Sequence, residues 1–372
     1  MTQQLQARPL QRANTLERHT GFDLLRNISM LMIIVLHYLS KGGVLYGVPP
    51  FSVRWFGAWS IEAMCVCGVN CYVIISAYFL STSHSGVRPA KVIKLLASMC
   101  FYSWLVAAAL AVSGIYTFTY KDIILSAIPF LSKEYWFMDV YILMYLLHPY
   151  FNRLLGKLER REHRRLVVIL LLFFCVGTTL LPKDWTLSSS GGYNIIWFST
   201  LYVLTAYLKK YEITLSKPKA VALFLAGVLL CVGSIAVLQY IYQKTGRGVS
   251  YLLQFYRFDR IPVLMSTLGC FFFFQKVKIT PKPLAKFNSL CAGATLGVYL
   301  WHEQVILRRG LWTHLLHVDK YMLTKWLPLH FVCAVLAVFV VGIIADLLRE
   351  QLFALAEKPI RKLWASRKRV KS

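Results

Sequence analysis

The chain has 372 residues, of which 57% are hydrophobic, 15% aromatic and only 16% charged, with a mean hydropathy of +0.55. A soluble domain carries about 25% charge. This chain has too few polar groups to cover its apolar surface, and it reads as an all-α, polytopic membrane protein. A membrane helix takes about 20 apolar residues, so roughly ten spans use most of the length and exclude a large extramembrane domain. The net charge of +26 fits positive-inside topology and attraction to anionic headgroups; no nucleic-acid partner is expected from it.

In chain order, about twenty polar residues precede the first apolar run with no A-x-A-like cleavage site, so that run is expected to be a retained anchor. Apolar runs predict spans near 23–40, 57–80, 92–116, 135–152, 166–181, 193–208, 219–243, 259–275, 288–307 and 326–348. The chain then divides into an N-terminal cytoplasmic tail (1–22), a membrane domain (23–350) and a basic cytoplasmic C-terminal tail (351–372). With the N-terminus inside, the inner segments hold 28 Lys and Arg and the outer ones 13, which predicts N-in, C-in topology with an even number of spans. All nine cysteines fall in predicted apolar spans. Cys65, Cys67 and Cys71 suggest a metal triplet. However, Cys67 and Cys71 share a helical face while Cys65 lies about 200° around from Cys67, so apolar packing is expected instead.

Ionisable groups within spans are costly, and each is a functional candidate. The first span, Gly21-Phe-Asp23-Leu-Leu-Arg26 through to His37, holds an Arg and a His eleven residues apart. Eleven steps of 100° return to within about 20° of the start, and the rise is about 16 Å. Arg26 and His37 therefore share a face. A CoA pantetheine arm is of similar length, so a phosphate clamp and a base could serve opposite ends of one donor. The alternative is a snorkelling Arg26 paired with Asp23, beside a packed His37.

Asp23-x-x-Arg26-x10-His37 resembles the first-helix signature of the membrane acyltransferase-3 family. In the same order, Val73-Ile-Ile-Ser76-Ala-Tyr78 is similar to the end of that family's second helix, with Ala77 where Gly is usual. Tyr135-Trp136-Phe137 with Leu143-Met-Tyr145-Leu-Leu-His-Pro149 resembles its fourth helix, with His148 at a position normally small or polar. Leu296-Gly297-Val-Tyr299-Leu-Trp-His302 resembles its ninth. The resemblance spans residues 21 to 350. It implies an integral membrane O-acyltransferase of the cell inner membrane, moving an acyl group, most often acetyl, from acyl-CoA to a hydroxyl of a cell-surface polysaccharide or lipid-linked sugar such as O-antigen or exopolysaccharide. Acyl-CoA is then a donor substrate, with no bound cofactor or metal. On that reading Arg26, with Arg88 and Lys91 of the inner loops, meets the CoA phosphates. His37 is the general base, and His302 supports the site.

Glu134 and Asp139 flank Tyr135 and Trp136, and are expected either to bond sugar hydroxyls or to sit in an interfacial aromatic belt. Glu62 and Asn70, two turns apart, either line a cavity or bond between helices. Arg257-Phe-Asp259-Arg260 reads as an outer mouth or a surface ion pair. His314-x4-Asp319 copies the spacing of another acyltransferase signature but falls in a predicted outer loop, and is treated as chance. No motif identifies the oxyanion donors. The rival class is a multi-pass transporter or flippase. Against it, the sequence shows no inverted repeat and no Gly/Pro-broken helix pair.

Overall fold

The computed structural model describes residues 19–369 except 84, 115, 131–134 and 183–184, with side chains as far as residue 357. Among these residues every regular element is helical. Most of the N-terminal tail expected over 1–22 lies outside the described residues.

Helix α1 (Thr20–Lys41) carries Asp23 in its first turn and Lys41 in its last, each complementing the helix dipole. Helix α2 (Val53–Cys65) is capped by Ser52, whose Oγ accepts the Trp55 amide at 3.1 Å. It is followed by α3 (Gly68–Leu80), and the two form one apolar stretch, Val53–Leu80. Proline in the first helical turn, where no amide is needed, opens α4 (Pro89–Ser113). The next helices are α5 (Trp136–Lys157), α6 (Arg160–Leu171) and α7 (Ile195–Lys210), the last capped by Asn194. Proline again opens α8 (Lys217–Thr245), α9 (Ile261–Gln275) and α10 (Lys282–His302). Helix α11 (Leu327–Arg369) runs on through residue 350 without a break.

Each of the ten predicted spans overlaps a helix among the described residues, though the one drawn over 288–307 leaves its helix at His302. Six stretches among the described residues are long and apolar enough to cross a membrane: Thr20–Lys41, Val53–Leu80, Pro89–Ser113, Arg160–Leu180, Lys217–Thr245 and Leu327–Glu357. The other four predicted spans correspond to α5, α7, α9 and α10. Of these, α7 and α9 have only 16 and 15 residues.

Helix α1 is the hub, packing against α2, α3, α9, α10 and α11. Its apolar window is 67% buried, against 22% in α8 and 33% in α11, so α1 is central and the other two are peripheral. On α11, Leu329, Val332, Leu336, Val340, Ile344 and Leu348 are exposed at helical spacing; such a face is at home in hydrocarbon.

Polar seams fix the centre. Asn27 Nδ2 donates to Asn288 Oδ1 at 2.9 Å and to its carbonyl at 3.0 Å. Ser289 Oγ donates to Asp23 Oδ2 at 2.5 Å. These bonds set the rotation of α1 against α10. A second network joins α4 to α11. Asp346 accepts from Tyr102 Oη (2.9 Å) and Arg349 Nε (2.8 Å), while Arg349 Nη1 reaches Ser98 Oγ at 3.1 Å. Asp346 and Arg349 are both buried. Gly297 leaves room for this pair, since a Cβ there would meet Asp346 Oδ1 at 2.2 Å.

Candidate active site

A cavity of about 790 Å³ opens beside α1 and is lined by residues of α1, α2, α3, α4, α5 and α10 and of the segments around Tyr193 and Arg257. The eleven-residue spacing puts Arg26 and His37 on the same wall, and both line it. At the Arg26 end the lining includes Lys91, Tyr141 and Tyr72. At the His37 end it includes Lys41, Glu62, Tyr193, Arg257, Glu303 and Arg308.

Arg26 Nη1 stands 3.9 Å from Asp23 Oδ1, a loose pairing, because Asp23 is also bound by Ser289. Lys91 Nζ sits over the Tyr145 ring at 4.2 Å. Arg88 is exposed at the start of α4, where its backbone N–H donates to Tyr145 Oη at 3.2 Å, and it is not among the lining residues.

His37 is held from behind. Its Nδ1 lies 3.0 Å from His302 Nε2 and 3.3 Å from Glu303 Oε1. His302 is fully buried, and its Nδ1 lies 2.5 Å from the Val298 carbonyl. A carbonyl can only accept, so His302 Nδ1 carries its hydrogen and, in the neutral ring, Nε2 accepts. Both neighbours of His37 Nδ1 are then acceptors, and Nδ1 must be the protonated nitrogen. His37 Nε2 is left with its lone pair and has no hydrogen-bond partner among the described residues. The Lys41 ammonium, one turn along α1, donates to the same Glu303 oxygen. His37, His302 and Glu303 present ligand atoms within 4.8 Å of one another. That would suit a metal, but the ammonium on Glu303 competes for the place of a cation. In such a set an imidazole can take up a proton at its free nitrogen while the second histidine orients it and the carboxylate balances the charge.

Trp136 lines the cavity, and its ring packs 4.4 Å from Tyr193 and 6.0 Å, stacked, from Phe258. Tyr135 instead turns into the core and donates to the Leu300 carbonyl at 2.9 Å. Asp139 is half-buried and, like Tyr135 and His302, is not among the lining residues. Glu134 lies outside the described residues. Glu62 lines the cavity, whereas Asn70 bonds between helices, donating to the Phe258 carbonyl and accepting from Trp197 Nε1. Asp259 and Arg260 form a buried pair at 2.7 Å, not a surface one.

Sequence reasoning missed Glu303, Lys41 and Tyr299. Glu303 directly follows His302, and Lys41 stands four residues beyond His37; both signals were present in the sequence. Tyr299 lines the cavity one turn before His302, and its hydroxyl is buried without a partner among the described residues. Cys67 and Cys71 do share a face, and Cys270 of α9 joins them with sulfurs within 4.8 Å. That contact needs α9 and is invisible to local spacing.

The acyltransferase-3 family model, described as an acyltransferase domain, matches residues 19–347. The chain belongs to the acyltransferase-3 family. The matched segment starts just before α1 and ends within α11, so it takes in the whole cavity wall. No curated protein and no solved structure matches the chain. Membership makes this a membrane acyltransferase in general terms, with several apolar helices to carry it through a bilayer.

Proposed function

We propose that the chain transfers an acyl group, most often acetyl, from acyl-CoA to a hydroxyl of a cell-surface polysaccharide or lipid-linked sugar at the cell inner membrane. The observation that carries this reading is one cavity lined by Arg26 and His37, with the Nδ1 of His37 committed to His302 and Glu303. In the N-in orientation favoured by the basic asymmetry, the Arg26 end faces the cytoplasm. Acyl-CoA enters there. Its phosphates meet the planar fork of Arg26, with Lys91 beside it and Arg88 at the rim. The acceptor enters from the opposite end.

At the meeting point His37 Nε2 takes the acceptor's hydroxyl proton as that oxygen attacks the thioester carbonyl. The imidazolium is stabilised through Nδ1–H by Glu303. The oxyanion is met by the Tyr299 hydroxyl and the Lys41 ammonium, donors aimed at charge that develops only in the transition state. Collapse of the intermediate breaks the C–S bond. The CoA sulfur leaves with the proton returned from His37, and the ester stays on the sugar.

Release of free CoA by purified protein, with acetyl-CoA and surface glycan from cells lacking the chain, tests the reading. His37→Ala should cut turnover by about 10²- to 10⁴-fold, the usual worth of a general base, while acyl-CoA still binds. His302→Ala should cost less. A transporter would consume no acyl-CoA with any acceptor, and that result would overturn the proposal.

A further inference from the structure

The His37 end of the cavity carries a cation that its neighbours leave uncompensated. Arg257 lines the cavity, yet no carboxylate lies within ion-pair distance of it among the described residues. The nearest acid in sequence is engaged elsewhere: Asp259 Oδ1 is bound by Arg260 Nη1 at 2.7 Å, and its Oδ2 by the Ser189 hydroxyl. Two successive glycines in left-handed conformation, Gly191 (φ 70°) and Gly192 (φ 92°), let the chain lie against Arg257 and Phe258. A Cβ on Gly191 would meet Arg257 Nη1 at 2.9 Å. The guanidinium therefore lies against the backbone of this turn, and Asp259 acts on it only from beyond ion-pair distance.

Facing the same space is Glu62, whose Oε2 is buried without a hydrogen-bond partner among the described residues. Tyr193 lines the same cavity, within electrostatic reach of both and packed on Trp136. An aromatic platform flanked by one free carboxylate oxygen and one unpaired guanidinium suits a sugar ring. The ring stacks, its hydroxyls donate to Glu62, and an anionic substituent takes the Arg257 fork. Arg257 is half-buried, and a cation that no carboxylate holds at ion-pair distance in such a cavity favours an anionic ligand.

We propose that the acceptor is an anionic glycan, whose carboxylate or phosphate is bound by Arg257 while Glu62 receives a hydroxyl of the same sugar. This rests on the acyltransferase reading above. The test uses surface glycan isolated from cells lacking the chain, in three forms: untreated, carboxyl-reduced and dephosphorylated. The rate of CoA release from acetyl-CoA is measured for each. With wild-type protein, one of the two treatments should lower kcat/KM at least tenfold, and which one it is identifies the anion. Arg257→Gln should show the same loss on untreated glycan, carried mainly by KM, and no further loss on the neutralised glycan. Arg257→Lys should recover part of it, and the KM for acetyl-CoA should not move. Equal rates for wild-type protein on all three glycans would overturn the proposal, even if no variant could be purified. So would an Arg257→Gln loss of equal size on treated and untreated glycan. Absence of CoA release with every form would instead overturn the acyltransferase reading.

Discussion

Glu303 decides which nitrogen of His37 is free to act, because it and His302 together claim Nδ1. Glu303→Gln keeps the shape but removes the charge that balances a protonated ring. Its amide can also donate toward Nδ1 and favour the wrong tautomer. We expect kcat to fall by about 10²-fold or more with the KM for acyl-CoA unchanged. Unaltered kcat in steady-state assays would reduce Glu303 to a partner of Lys41. Arg26 poses the opposite question. Arg26→Lys retains charge but loses the fork, and the KM for acyl-CoA should rise several-fold while the acceptor KM stays put. A shift in the acceptor KM instead would reverse the assignment of the two cavity ends. At this scale the sequence was partly legible. Arg26 and His37 were readable because both lie on one helix, where periodicity fixes relative direction. Glu303, Tyr299 and Arg257 come from other elements, and no local spacing says which of them faces His37.

Between elements, the Asp346–Arg349 pair is a buried polar link, tying α11 to Tyr102 and Ser98 of α4. Removing Arg349 strands the buried Asp346 carboxylate, at a cost of about 3–5 kcal/mol; removing Asp346 costs less, because Glu350 still pairs with Arg349 at 2.7 Å, and replacing both by apolar residues of like volume is far milder. Asp346→Ala and Arg349→Met should each lower the thermal midpoint in detergent, and the double variant Asp346→Leu/Arg349→Met should recover most of the loss. Additive losses in the double variant would show that the two do not act as a pair. The pair also gives a physical reason for Gly297, a residue of the ninth-helix resemblance: its missing side chain is the space Asp346 occupies. The sequence supplied the glycine and the acid 49 residues apart without a hint that they touch.

For the whole molecule, hydropathy missed short helices such as Tyr120–Ala127 but found the long apolar helices among the described residues, because burial in lipid imposes long apolar runs that tertiary packing cannot disguise. It could not rank them. Central α1 and peripheral α8 both read as apolar, though they differ threefold in the share buried; only the polar residues Asp23, Asn27 and Ser29 along α1 hinted at its place. The 28-to-13 distribution of Lys and Arg predicts an N-in, C-in orientation. Reporter fusions after His163 and at the C-terminus should both report cytoplasm, and an external signal from either would change the number of crossings. The cavity's two differently equipped ends have a kinetic corollary. Arg26 and His37 stand about 16 Å apart along one helix, so on the proposed reading donor and acceptor are expected to occupy the space together. Initial-rate plots against one substrate at several fixed levels of the other should intersect. Parallel lines would mean that the first product departs before the second reactant binds, and that an acylated side chain, not a shared chamber, links the two.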